Sequence, residues 1–382
     1  MRKSVILFVC LCAPSMLLFG QNSSPRTLKE AYGGAFKVGC AVNSGIVSGR
    51  NAKALSILQD NFNAISPEND LKPEVIHPAR DRWNFGPGDR YVQFGKEHGM
   101  FVLGHTLIWH NQTPSFFFTH DDGTPNSRDE MREVLRSYIE TVIKHYDGKV
   151  DAWDVVNEIV GDDGNYRSTV WTNAFDGDGD EIVRLAFKYA SEYSPGTELY
   201  YNDFNMWRPA KRDGVIRMIR MLQKEGIRID GVGIQAHWGL NYPKNEYIEA
   251  CIDSFATLGI KVMVTELDVD VLPISREGQV IGRSLNDPLY QLEEFEEYLD
   301  PYKNGLPPEV DRQLAERYSE IMGIFYRKRD KIDRVTFWGM DDGMSWKNGS
   351  PIPNRTNYPL LWNRGLDPKT AFKSVLDVPS LY

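Results

Sequence analysis

The sequence predicts an α/β fold: a (β/α)8 TIM barrel, built as a single catalytic domain with an insertion after its seventh strand. Three observations carry that prediction. Short β-branched runs alternate with amphipathic helical stretches, the pattern of a parallel sheet closed by helical crossovers. No Gly/Ser-rich or Pro-rich linker divides the 382 residues, a length that barrel enzymes reach as one domain. Polar residues gather just past the ends of the runs, and a barrel brings all of those ends to one mouth.

The chain opens with MRKSVILFVCLCAPSMLLFGQ, in which Arg2 and Lys3 precede an apolar stretch broken by Pro14. This pattern predicts a secretory signal peptide over residues 1–20, too short and too interrupted to span a membrane. A secreted or periplasmic protein is expected. A surface lipoprotein, suggested by Cys10 and Cys12, is the weaker alternative, because Val9 and Leu11 before them are bulky. Without the leader only Cys40 and Cys251 remain, too few for a disulfide framework, and they are expected to be buried thiols.

Eight strand runs follow, at 35–42, 62–66, 101–107, 150–156, 198–202, 229–235, 261–267 and 334–338. Helical stretches lie between them. In 129–146, Met131, Val134, Leu135, Tyr138, Ile139, Val142 and Ile143 keep helical spacing. In 210–226 the stretch ends at Gly226, a common helix stop. A further helix is expected at 312–329. The interval 272–311 is too long for a plain crossover and is assigned to the insertion; its acidic segment 293–300 suits a solvated face better than a metal site. The acidic stretch FDGDGDE (175–181) alternates like a calcium loop, but Glu181 stands where such a loop needs Gly, and no Glu follows at the twelfth position. Opening a helix is the preferred role, since acids suit a helix N-terminus.

The composition, 41% hydrophobic and 25% charged, is that of a soluble globular protein. A formal net charge of −9 argues against nucleic-acid binding and weakly against strongly acidic polymers. Nine Trp and 18 Tyr suit a cleft in which flat rings meet the C–H faces of sugars. A monomer with no nucleic-acid partner and no membrane span is expected.

The polar residues at the run ends are the candidate site. Glu68, Asn69 and Lys72 follow the second run; His105, Trp109, His110 and Gln112 end or follow the third. Asn157 and Glu158 end the fourth, in WDVVNEIV, where an apolar run stops at a carboxylate. Asn202 and Asp203 end the fifth, Gln235 and His237 the sixth, Glu266 and Asp268 lie on the seventh, and Trp338 ends the eighth, with Trp346 beyond it. Turn chemistry explains one such residue, but not a full ring of them. Glu158 and Glu266, three strands apart, then face one another across a sugar-sized gap. Two such carboxyls suit glycosidic cleavage: one protonates the leaving oxygen while the other, ionised, attacks the anomeric carbon or activates water. Environment is expected to separate their pKa values, with His237 and Asp268 keeping Glu266 ionised. A metal-dependent hydrolase built on His105, His110 and His237 is disfavoured because no HxH or HExxH spacing is present, and no metal or cofactor is expected.

The segments WDVVNE, VTELDV, HTLIWHNQTP, PENDLK, YNDFN, GVGIQAHW and TFWGMDDGMSW, taken together and in order, resemble the glycoside hydrolase family 10 endo-1,4-β-xylanases over residues 28–382. The resemblance implies a secreted enzyme that hydrolyses internal β-1,4-xylosidic bonds of xylan with retention of configuration. It implies Glu158 as acid/base and Glu266 as nucleophile. Asn157 would bind the sugar 2-hydroxyl, His237 and Asp268 would steady the nucleophile, and Gln235 would lie beside the acid/base. Glu68, Asn69, Lys72 and Gln112 would bind xylose units on the non-reducing side, and Asn202 joins the substrate-binding set. His105 and Trp109 would floor the attacked sugar, and Trp338 and Trp346 would wall it. One departure is Phe204 in YNDFN, where the family commonly carries Tyr. The alternative is a barrel β-1,4-glucanase or a mixed xylanase/glucanase, decided sterically around Trp338, Trp346 and Lys72.

Overall fold

The computed structural model describes residues 27–272 and 299–382. The expected leader, and residues 273–298 of the expected insertion, lie outside the described residues.

Nine strands form the sheet: β1 (Lys37–Val42), β2 (Ala64–Pro67), β3 (Phe101–Ile108), β4 (Ala152–Asn157), β5 (Glu198–Asp203), β6 (Gly231–Ile234), β7 (His237–Gly239), β8 (Lys261–Asp270) and β9 (Ile332–Phe337). All pairings between them are parallel. From β1 to β6 each strand pairs with the next; β9 then pairs with β1 and β8, and β8 pairs back to β6 in the register Gly231↔Lys261, which closes an eight-stranded barrel. Such a ring leaves no unpaired edge and collects every C-terminal strand end at one face.

The ninth strand was not legible in the run 229–235. The chain jogs at Ala236, whose φ is +62°, and resumes beside β8 with His237 opposite Asp268. β8 runs three residues further than the 261–267 expected, because its terminal acids are satisfied inside the fold: the Asn357 amide donates to Asp270 at 2.8 Å, and Asp268 meets His237.

The helices follow their sequence signals with shifted ends. Arg128–Tyr146 is capped by Ser127 and buries Met131, Leu135, Tyr138, Ile139, Val142, Ile143 and Tyr146. Pro209–Lys224 and Pro308–Arg327 both begin at a proline, whose missing N–H costs nothing in a first turn. Proline at that position also explains why the second of these helices starts four residues before the expected 312. The stretch 175–181 opens the helix Gly179–Tyr193: the Asp178 carboxylate accepts the Glu181 backbone N–H at 3.0 Å. Arg128 reaches Asp178 and Glu181, and Arg132 reaches Glu181, so these acids are already paired by protein cations.

The core is packed through close approach. Trp153 is fully buried on the outer face of β4 and lies across Gly104 of β3, where an added Cβ would come within 2.3 Å of the indole. Leu103, Ala152, Tyr200 and Met263 form a separate buried cluster below the mouth, and the Arg334 guanidinium lies 4.7 Å over the Phe101 ring. Cys40 and Cys251 are buried free thiols.

Candidate active site

A cleft of about 580 Å³ lies at the mouth, within the range of small-molecule sites. It is lined by Glu68, Asn69, Lys72, His105, Trp109, Gln112, Asn157, Glu158, Gln235, His237, Glu266, Trp338 and Trp346. Asn202 and Asp268 stand directly behind this lining and hydrogen-bond to it, while Asp203, also singled out in the sequence, is buried against Lys211 at 2.7 Å. His110, Asn111, Arg167, Phe204 and Asn205 complete the wall.

Glu158 is delivered by a backbone turn. β4 ends at Asn157, and Glu158 adopts φ +59°, a left-handed conformation that costs a residue with a Cβ roughly 1–2 kcal/mol. Its N–H donates to the Asn202 carbonyl at 2.9 Å, holding the turn. Its two carboxyl oxygens each meet one neutral donor: Trp109 Nε1 donates to Oε2 and Gln235 Nε2 to Oε1, both at 2.9 Å. Burial pushes the carboxyl up, but the Gln235 amide, the nearby His110, the Trp109 indole and the Arg167 charge together bring it below the usual range. The expected pre-protonated acid is therefore not what these partners favour, because N–H donors stabilise the carboxylate form.

Glu266 is held by a different set. Asn202 Nδ2 donates to Oε1 at 2.7 Å, and the Thr265 hydroxyl donates to Asn202 Oδ1 at 2.6 Å, which orients the amide so that its nitrogen faces Glu266. His237 Nε2 lies 3.1 Å from Oε2 of Glu266, and Nδ1 lies 3.0 Å from Asp268 Oδ2. Trp346 Nε1 also donates to that Asp268 oxygen, at 2.9 Å. A ring with a carboxylate at each nitrogen is a double donor, hence an imidazolium. Burial alone pushes His237 down, yet Asp268 and Glu266 outweigh it and its pKa rises to about 9.

Lys72 anchors the opposite end. Its buried ammonium donates to Asn69 Oδ1 at 3.0 Å and Gln112 Oε1 at 2.8 Å, and sits 4.8 Å over the Trp109 ring. Burial lowers its pKa despite the pull of Glu266, Glu68 and Glu158. Burial likewise raises the Glu68 carboxyl, against the pull of Lys72. On the floor, His105 Nδ1 lies 2.8 Å from Asp154 Oδ2, and the ring packs edge-on against Trp338. Trp338 is buried, whereas Trp346 is 37% exposed.

Sequence reasoning did not single out Arg167, Asn111 or Asn205. All three lie in loops without periodicity, and the one signal in the sequence is their position shortly after a strand end. Phe204, noted as a departure, has its ring between two cations, Arg167 at 4.7 Å and Lys211 at 3.9 Å.

Glycosidic cleavage needs a proton donor and an anion flanking one anomeric carbon. Two carboxyls held by unlike partners in an aromatic cleft at a barrel mouth place this protein among the glycoside hydrolases. Comparison with known proteins narrows the class. Residues 27–378 match the sequence model of the family described as Glycosyl hydrolase family 10. The chain is 38% identical to an endo-1,4-beta-xylanase A of Xylanibacter ruminicola, over 98% of this chain and 99% of that one. It is 36% identical to an endo-1,4-beta-xylanase of Geobacillus stearothermophilus, over 93% and 99% of the two chains. Among solved structures, a GH10 endoxylanase from a sugarcane soil metagenome superposes with a TM-score of 0.83 at 36% identity, covering 92% of this chain and 99% of that one. The chain belongs to glycosyl hydrolase family 10.

Proposed function

We propose that the protein is an endo-1,4-β-xylanase that cleaves internal bonds of xylan with retention, by double displacement. The observation that carries this reading is the unlike setting of the two carboxyls: Glu266 against the Asn202 amide and the His237 imidazolium, Glu158 against two neutral N–H donors. In the first step a Glu266 oxygen attacks the anomeric carbon while the bond to the leaving oxygen breaks and Glu158 gives that oxygen its proton. A glycosyl ester of Glu266 results. In the second step Glu158, now a carboxylate, takes a proton from water as the water oxygen displaces Glu266 from the same carbon. Two inversions leave the configuration unchanged.

The low-lying Glu158 carboxyl suits the second step directly. For the first, a sugar oxygen lodged against Glu158 excludes water and competes for the Trp109 and Gln235 donors, and both effects raise the carboxyl. Asn157 would hydrogen-bond the 2-hydroxyl, a contact that strengthens as the ring gains oxocarbenium character. Glu68, Asn69, Lys72 and Gln112 would hold the non-reducing units, His105 and Trp109 would floor the attacked ring, and Trp338 and Trp346 would leave little room for the hydroxymethyl group of a hexose.

Hydrolysis of xylan against carboxymethyl cellulose tests the substrate. We expect kcat/KM to favour xylan by about 10²-fold, the scale on which a steric pocket discriminates; comparable rates would favour the mixed or glucanase reading. We also propose export by the leader at residues 1–20 and action as a monomer. Among the described residues no helix is long and apolar enough to cross a membrane. The N-terminal mass of the exported protein and its sedimentation coefficient check these two points.

A further inference from the structure

Arg167 is a cation with donors to spare at the edge of the catalytic cleft. Among the described residues no carboxylate lies within ion-pair distance of it, and its guanidinium carbon lies 4.7 Å over the Phe204 ring. Its cationic neighbours are otherwise engaged. Lys211 pairs with Asp203 at 2.7 Å, Arg208 with Asp162 at 3.7 Å, and Arg217 donates to the Gly164 carbonyl at 2.8 Å.

The loop that carries Arg167 is locked. The Arg167 N–H donates to the Ile159 carbonyl at 2.9 Å, Gly161 N–H to Asn165 at 2.6 Å, and Val160 bridges Tyr166. Gly164, at φ +83°, seats the loop on the helix Pro209–Lys224, where an added Cβ would lie 2.3 Å from the Ala210 carbonyl. A guanidinium on a fixed loop, placed over an aromatic ring, binds a partner with little further loss of freedom.

Its position states what that partner is. Arg167 lines both the main cleft and a side recess of about 450 Å³ formed with His110, Ser168, Thr169 and Val170. It follows β4, and the ring beneath it follows β5, two and three strands round from the β2 end that carries Glu68 and Lys72. With Glu68, Asn69, Lys72 and Gln112 holding the non-reducing units, as proposed above, this is the leaving-group half of the cleft. A neutral xylose unit offers nothing that uses the charge of a guanidinium fork, whereas a carboxylate matches it in geometry and sign. The overall charge of −9 does not forbid such a ligand, since charges beyond about 8–10 Å are largely screened while the fork acts in contact.

We infer that Arg167 selects acid-bearing substrates: it binds the carboxylate of a uronic acid branch on the leaving-group half of the chain, with the branch lodged in the recess beside His110 and Val170. The inference rests on the xylanase reading and names a substrate class within it.

The test compares kcat/KM for a neutral linear xylo-oligosaccharide, the same oligosaccharide carrying one glucuronic acid branch, and the branched form with its carboxyl reduced to the alcohol. In the wild type, carboxyl reduction is expected to lower the branched-to-neutral ratio by about tenfold, the scale of one charge-assisted bidentate contact at a partly solvated site. Arg167→Met should lower the ratio for the acidic substrate by the same factor, and Arg167→Lys should restore part of it. A ratio indifferent to carboxyl reduction in the wild type overturns the inference without reference to any variant. Equal losses on both substrates in Arg167→Met, with a displaced pH profile, would assign the residue to tuning Glu158 and likewise overturn it. Absence of turnover on every xylo-oligosaccharide would instead refute the xylanase reading, and this inference with it.

Discussion

The β4 side and the β8 side of the cleft each present one glutamate, and they hold it by different physics. On the β4 side, Glu158 meets an indole and an amide, both neutral, and sits on a left-handed turn at a strand end. On the β8 side, Glu266 lies within β8, where the register with β9 shifts between Val264 and Leu267, and faces an imidazolium whose other nitrogen is held by Asp268, itself braced by Trp346. A neutral donor stabilises a carboxylate modestly and yields readily to a competing sugar oxygen. A charged, braced donor makes a stronger hydrogen bond to its carboxylate and holds it aimed. Identical side chains thus gain unlike chemistry from partners alone, one suited to exchanging a proton and the other to attacking carbon.

The largest expected effect comes from removing the attacking anion. Glu266→Gln should lower kcat on the order of 10⁴-fold or more while xylo-oligosaccharide affinity, read by calorimetry, is retained. Turnover equal to wild type would break the comparison outright. Glu158→Ala should cost about 10²–10⁴-fold on xylan, the range for one general acid–base residue. It should cost much less on an aryl xyloside whose leaving group needs no proton, and equal losses on both substrates would remove the acid role.

A smaller effect belongs to the brace. His237 has a pKa near 9 in the fold against an ordinary 6.5. The stabilisation from its proton is therefore complete below about 6.5, declines as pH rises, and is lost above about 9; it amounts to roughly 3 kcal/mol at most. The Tm gap between wild type and His237→Asn should narrow between those pH values, and a gap independent of pH would contradict the charged-donor description. The smallest effect concerns the neutral donor. Trp109→Phe deletes one N–H from Glu158 and should move the basic limb of kcat/KM upward by less than about one pH unit; an unmoved limb would show that the indole does not set the Glu158 carboxyl.

Much of this was legible in the sequence because barrel strands are short, apolar and regularly spaced, so their ends could be found and the residues just beyond them compared. The runs 150–156 and 198–202 each stop one residue short of the observed strand end, which puts Asn157 at the cleft and Asn202 directly behind it. Two features were not legible. β7 begins after a left-handed residue at Ala236, and nothing in the local pattern marks that jog. The low carboxyl of Glu158 depends on Trp109 and Gln235, which stand 49 and 77 residues away in sequence and meet it only through closure of the barrel. Arg167 escaped notice for a related reason: its meaning lies in the absence of a nearby carboxylate among the described residues, which spacing along a chain does not reveal.

The central claim is that Glu266 attacks carbon and Glu158 moves the proton, twice, at one anomeric centre. Time-resolved proton NMR of xylo-oligosaccharide cleavage tests it most directly, because the new reducing end appears before mutarotation scrambles it. The account predicts that the β-anomer forms first and the α-anomer grows in only as mutarotation proceeds; initial release of the α-anomer would contradict it.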